Sequence, residues 1–475
     1  MEYDVVIGLE VHCELKTNSK GFSSGANKYS DEPNKHITVN DLCFPGVLPV
    51  TNKEAVRKAL KMALAMNCTT PEEMIFDRKN YFYPDLPKSV QLTQDVKPVG
   101  VNGYVMINID GEDKKILINN THLEEDTASL EHFGSYSLIN YNRLGVPLLE
   151  TVTEACLTSS KEAVVFLEAL RSIFLYTDCS DARSDLGQLR CDVNISLKPK
   201  GSSELGVRVE IKNVNSFNNV KLAIEHEIKR QSEILNSGGV VLQETRRYSD
   251  EDDCTYLMRS KENAVDYRYY PEPNLPPVKI SKEWVEEIRS EIPPLQYERI
   301  EKYMNGLGLS RYDATILAKE KNVSDYFEET LENGADPKLS SNWLTSIILG
   351  HLNKKEISID DIYVRPKMLV ELIKLVSSGK ISSKQGKEVL YQALTEEKDP
   401  VKIVNEAGVS QIVDEDAIRT VIKEVIAENM NVVADYQAGN HRVLDYLVGQ
   451  VMKKTKGQAN PTMASDFMKE EIGKL

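Results

Sequence analysis

What this sequence lacks excludes several classes of protein. No run of 18 apolar residues occurs among its 475 positions, and a bilayer-spanning helix needs about 20, so no membrane partner is expected. The start, Met1-Glu2-Tyr3-Asp4, has neither the basic nor the apolar stretch of a signal peptide. No lipidation signal stands at Glu471-Ile472-Gly473-Lys474-Leu475, and the expected location is the cytoplasm. Seven cysteines are scattered without one C-x-x-C pair, which excludes a zinc ribbon and points to reduced thiols. No G-x-x-x-x-G-K-[ST] is present, so any nucleotide site is not a P-loop. A Rossmann fingerprint, a kinase signature set and a Gly-Ser-rich amidase signature are missing too. A basic excess is also lacking: 58 Lys and Arg against 73 Asp and Glu leave a net charge of −15. Phosphate contacts supply most non-specific nucleic-acid affinity. Any such partner must therefore be met by a local patch or with a second subunit.

What is present is the composition of a globular protein, 41% apolar and 28% charged, long enough for about three domains. Residues 1–292 mix short alternating segments (Val5 to Leu15, Lys115 to Leu123, Cys191 to Leu197, Val207 to Lys212) with amphipathic helices. Ser160 to Tyr176 is one helix, with a Ser159/Glu162 capping box and a Val164, Leu167, Leu170, Phe174 stripe, and Val220 to Leu235 is another. Without regular βα alternation the fold class is α+β. Residues 293–400 read as helical, through Arg311 to Glu320, Asn342 to Leu352 and Pro366 to Ser377. A polar stretch from Thr395 to Pro400 reads as a linker. Residues 401–475 are again helical, with Ile418, Val421, Ile422, Val425 and Ile426 as one stripe and Leu444, Leu447, Val448 and Val451 as another.

In the first strand, Val5, Ile7, Leu9, Val11, Cys13 and Leu15 share one face, and Gly8, Glu10, His12 and Glu14 the other, because strand side chains alternate. Such a strand is either half-exposed to water or lines a metal site. The pattern recurs in His122-Leu123-Glu124-Glu125-Asp126, in Asp192, Asn194 and Ser196, and in Glu210 between Arg208 and Lys212. Together these would form a floor of hard oxygen ligands suited to Mg²⁺ ions bridging nucleotide phosphates. A solvated polar face is the plainer alternative. Arg78 and Lys79, beside Tyr81, Phe82 and Tyr83, are either a phosphate clamp or a surface turn. Arg268 to Pro273 reads equally as a linker packed on the sheet. Lys453, Lys454 and Lys456 close a helix, where they either complement its dipole or contact an RNA backbone.

These segments also carry a resemblance. Tyr3 to His12, Pro45-Gly46-Val47-Leu48-Pro49-Val50, Phe76 to Asp85, Asn142 to Pro147, Leu189 to Asn194, Glu210 to Phe217, Gln243-Glu244-Thr245-Arg246 and Lys456-Gly457-Gln458-Ala459-Asn460-Pro461 run in order along essentially the whole chain. Together they resemble the B subunits of bacterial tRNA-dependent amidotransferases, the GatB family of GatCAB. An archaeal GatE would carry an inserted domain for which 475 residues leave little room.

The resemblance implies a glutamine-synthetase-like cradle domain (1–292), a helical linker domain (293–400) and a small YqeY-like tail (401–475) that grips tRNA. It implies a ligase that uses ATP and Mg²⁺ to phosphorylate the side-chain carboxylate of Glu-tRNA(Gln) or Asp-tRNA(Asn). Ammonia from the amidase A subunit would then displace the phosphate, with a small C subunit completing the heterotrimer. Carried onto matching positions, Glu10, His12, Glu125 and Glu210 would be the catalytic and metal-binding set, with Glu124 and Asp192 beside them and Lys88 at the mouth of an ammonia channel. Arg78 and Lys79 become candidate phosphate contacts. Many relatives carry paired cysteines that bind zinc before the Pro-Gly-Val-Leu-Pro segment; only Cys43 stands there, and no zinc is expected. Two rivals remain: a tRNA-binding scaffold whose acids hold a structural ion, and a self-sufficient amide ligase acting on a free amino acid.

Overall fold

The computed structural model describes residues 2–214, 216–260, 266–406, 415–455, 459 and 461–475. The chain forms two compact units, Met1–Glu298 and Arg299–Leu475, α+β and helical respectively, as the periodicities predict.

The first unit is built on an eight-stranded sheet. Its order is Cys254–Ser260, Glu244–Ser249, Val209–Val214, Leu189–Pro199, Tyr3–Glu14, Pro147–Thr153, Glu112–Glu125 and Gly100–Ile109. Every pairing is antiparallel except that of Val209–Val214 with Glu244–Ser249. The predicted alternation holds in the central strand Tyr3–Glu14. Ile7, Leu9, Val11 and Cys13 are buried in one core with Val193, Ile195 and Ile211, while Glu10, His12 and Glu14 stay half-buried opposite.

Three helices close the apolar face: Lys53–Ala65, Ser160–Tyr176 and Phe217–Asn236. They contribute Val56, Leu60, Phe166, Leu170, Val220 and Ile224 to the same core. Full burial of each large side chain stabilises the unit by roughly 1.5–3 kcal/mol. Each helix starts at a side-chain cap, from Asn52, Ser159 and Ser216 respectively. The expected capping box at Ser159 is only half made. Ser159 Oγ accepts from Glu162 N–H, but Glu162 accepts from Thr158 N–H at 2.7 Å, one residue earlier, and also pairs with Lys114. The stripe is rotated as well, with Phe166 and Ile173 buried and Val164 half-buried.

In the second unit Pro366–Ser377 is a helix as predicted. Arg311–Leu317 ends three residues before the predicted Glu320. The Asn342 to Leu352 prediction is the middle of a longer helical run that begins at Pro337, where Asp336 caps Leu339 N–H, and passes through a π-helical turn to Lys355. Aspartate followed by proline at the first helical position is a start signal. The Thr395–Pro400 linker shrinks to residues 397–399, between helices Ser383–Glu396 and Pro400–Glu406. Ile403 and Val404 of the latter belong to an apolar core around Phe327, Trp343 and Leu372. A separate core gathers Ile418, Ile422, Val425, Leu447, Val451 and Met468. No helix among the described residues is long and apolar enough to cross a membrane.

Candidate functional site

Sheet order and register bring the polar faces of five strands together. Glu10 lies opposite Asp192, His12 opposite Glu150, His122 opposite Glu150, and Asn194 opposite Glu210. Two groups of potential ligand atoms result, each within 4.8 Å: His12 with Glu124 and Glu150, and Glu10 with Asp192 and Glu210.

In the histidine group, His12 Nε2 and His122 Nε2 both lie 3.1 Å from Glu150 Oε2. Glu124 follows at 4.0 and 3.9 Å from the two rings and accepts from Thr93 Oγ1 at 3.2 Å. Burial disfavours the His12 imidazolium, but Glu150, through charge and hydrogen bond, then Glu124 and Asp192, outweigh it and raise His12 to about 9. His122 is raised in the same way. Burial also pushes Glu150 up, yet the two rings hold it well below the usual carboxylate range.

In the acid group, Asn194 Nδ2 donates to Glu10 at 2.8 Å and Thr245 Oγ1 to Glu210 at 2.8 Å. Burial, then the Glu150 charge, raises Glu10 against the Asn194 hydrogen bond. Lys212 Nζ lies 2.6 Å from Asp192 and 3.2 Å from Glu210. Carboxylate oxygens alone, and carboxylates with imidazole, are donor sets that hold divalent cations such as Mg²⁺ or Mn²⁺. The residues therefore fit the ions that the sequence implies.

Five predicted residues meet here: Glu10, His12, Glu124, Asp192 and Glu210. Glu125, predicted as a ligand, belongs to neither group. Alternation sends Glu124 to the polar face and Glu125 to the opposite one. There Glu125 pairs with Lys88 and accepts from Leu92 N–H at 3.0 Å, near the buried pair Lys20–Asp41 at 3.4 Å. Lys88 thus joins Glu125 rather than the ligand groups.

The basic pair separates for the same reason. Lys79 sits over the Tyr267 ring at 5.1 Å, and its ammonium is raised, against burial, chiefly by Glu124 and then Tyr269 and Glu150. Arg78 is instead clamped to buried Glu272, Nη2 to Oε1 at 2.9 Å, and to Tyr270 Oη at 3.1 Å. Those contacts are where the structure places the guanidinium that the sequence offers as a candidate phosphate contact. Arg268 to Pro273 is a packed segment: Tyr270–Pro271 pairs with Asp77–Asn80 as a strand.

Sequence reasoning misses Glu150 because it stands in Pro147-Leu148-Leu149-Glu150-Thr151-Val152-Thr153, which reads as an apolar strand. The available signal is a carboxylate inside that run. In the second unit Lys453 is exposed, Lys454 pairs with Glu424 at 3.1 Å and Glu428 at 2.6 Å, and Lys456 lies outside the described residues.

A family model of the GatB/GatE catalytic domain matches residues 5–286, and one described as the GatB domain matches residues 325–472. Three relatives are each named as the B subunit of an aspartyl/glutamyl-tRNA(Asn/Gln) amidotransferase. That of Geobacillus kaustophilus (strain HTA426) is 49% identical over 475 residues, that of Listeria innocua serovar 6a 48% over 475, and that of Brevibacillus brevis 47% over 476. In each case the match covers 100% of both chains.

Proposed function

The chain belongs to the GatB/GatE family, and from that premise we propose that it is the B subunit of a cytoplasmic, glutamine-dependent aspartyl/glutamyl-tRNA amidotransferase. Its substrates are Glu-tRNA(Gln), Asp-tRNA(Asn) or both, its nucleotide is ATP, and its partners are an amidase A subunit and a small C subunit. The observation that carries this reading is the pair of ligand groups on one sheet face, in a chain matched along its whole length by B subunits.

A carboxylate resists attack by ammonia until one oxygen becomes a leaving phosphate, and phosphoryl transfer needs mainly positioning and charge neutralisation. His12, Glu124 and Glu150 would hold one Mg²⁺, and Glu10, Asp192 and Glu210 a second. Bound there, Mg²⁺ supplies neutralisation of phosphate charge. Lys79, held beside Glu124 and Glu150, adds a cation toward the same phosphates. His122 orients Glu150, while Asn194 and Thr245 orient Glu10 and Glu210. Lys88 and Glu125 form a separate polar group suited to receive ammonium and take up its extra proton, leaving ammonia with the lone pair that attack requires.

The chemistry belongs to residues 1–292 on this reading. Residues 293–400 act as a helical linker and residues 401–475 as the tRNA-gripping tail, a division supported by the two separate cores of the second unit. Lys453, Lys454 and Lys456 would meet the RNA backbone, Lys454 exchanging Glu424 and Glu428 for phosphate.

The test is reconstitution with the amidase and small partner subunits, Glu-tRNA, glutamine, Mg²⁺ and ATP, scoring Gln-tRNA and ADP, with ammonium replacing glutamine in a parallel arm. ATP-dependent product from either nitrogen source supports the proposal. Absence of ADP release with correctly misacylated tRNA reduces the acidic floor to a structural role.

A further inference from the structure

Lys212 stands where a cation is needed and where a metal ion would compete with it. The ladder between Leu189–Pro199 and Val209–Val214 pairs Val193 with Ile211 and Cys191 with Val214. Lys212 and Asn213 therefore face the single residue Asp192. Such a bulge re-aims a side chain, and the Lys212 ammonium reaches Asp192 at 2.6 Å and Glu210 at 3.2 Å. Three carboxylates within 4.8 Å repel one another strongly unless a positive charge lies among them. The histidine group has its imidazoles for this purpose; in the acid group the charge comes from Lys212.

An ammonium has donors only and no lone pair, so it cannot ligate a metal. It also cannot share the same oxygens with a divalent ion at close range without repulsion. Its side chain is 38% exposed on a flexible four-carbon stem, whereas Lys20 beside Asp41 is fully enclosed. Lys212 has an outward path, on the face where nucleotide phosphates are placed above.

We propose that Lys212 is an exchanging cation. It holds Asp192 and Glu210 while the acid group is without a metal ion, yields its place to a divalent ion that arrives with nucleotide, and then turns to the phosphates. The inference rests on the metal reading of the site. It makes the two ligand groups unequal, the histidine group filling first and the acid group filling only with nucleotide.

Mn²⁺ binding to the full-length protein, followed by electron paramagnetic resonance with and without a non-hydrolysable ATP analogue, tests this. Wild type should bind one Mn²⁺ alone and a second with the analogue. Lys212→Met and Lys212→Gln should bind the second Mn²⁺ roughly tenfold or more tightly without analogue, and should bind the analogue roughly tenfold more weakly. Lys212→Arg, which keeps the charge, should restore the order of filling. Unchanged second-site affinity in both neutral variants overturns the proposal. So does tighter Mn²⁺ with unchanged analogue affinity, which would leave Lys212 a mere screen. Absence of Mn²⁺ binding in every variant overturns the metal reading and the exchange together, an outcome distinct from both.

Discussion

Glu150 accepts from two imidazoles at 3.1 Å each, and no other carboxylate in the histidine group is as close to either ring. Glu150→Gln should lower Mn²⁺ affinity by more than the roughly 10–100-fold expected when an outer partner is removed. Asn194→Ala and Thr245→Val supply that comparison, all three read by metal titration in the presence of a non-hydrolysable ATP analogue. Arg78 allows a different test because its partner is buried. Burial pushes the Glu272 carboxyl up, but Arg78 and Asn274 outweigh it and hold it below the usual carboxylate range. Arg78→Ala should cost about 1–3 kcal/mol near neutral pH by leaving a buried acceptor unpaired. A depressed carboxyl contributes stability above its unfolded pKa and loses it as pH falls through the folded value. Denaturant titrations of wild type and variant should therefore begin to approach one another as pH falls through the ordinary carboxylate range and converge only below it.

At the scale of elements, close approach controls where strands and helices meet. Strand Gly100–Ile109 runs under the end of helix Lys53–Ala65, and a Cβ at Gly103 would lie 2.6 Å from Met66 O and closer still to Cys68 Sγ. Backbone cannot yield as a side-chain tip does. Gly103→Ala should destabilise the unit by about 1–3 kcal/mol, seen as a lower Tm. The helices themselves were readable: Ser160–Tyr176 and Pro366–Ser377 have the predicted bounds, since caps, proline and an apolar period act within a few residues. The half-made capping box shows where that locality ends. Glu162 is drawn to Thr158 and to Lys114, a residue 48 positions earlier.

At the scale of the molecule, a chain of net charge −15 needs a local device to hold RNA, and the tail is the proposed one. Ending the chain at Glu406, which keeps Ile403 and Val404 in their core, should weaken tRNA binding and flatten its salt dependence. Mn²⁺ binding by the first unit should persist. Gel-shift and metal titrations on the same preparation check both, and unchanged tRNA affinity would remove the tail from the proposal.

The α+β class of the first unit, the helices Ser160–Tyr176 and Pro366–Ser377 and the polar face of Tyr3–Glu14 are determined by the sequence alone. They follow from side-chain periods of 2 and 3.6, which any short window displays. The strings from Glu10 to Lys212 likewise identify the family without coordinates. Tertiary structure decided which charges converge. It added Glu150, set Glu125 with Lys88 on the other side of the strand, separated Lys79 from Arg78, and brought Lys212 to Asp192 through a register shift. The convergence of Glu150 and of Lys212 with their partners depends on pairing between residues far apart in the chain, which a one-residue change of register would undo. Glu125 parts from Glu124 and Arg78 from Lys79 by alternation, and there the tertiary structure supplied the partner on each side.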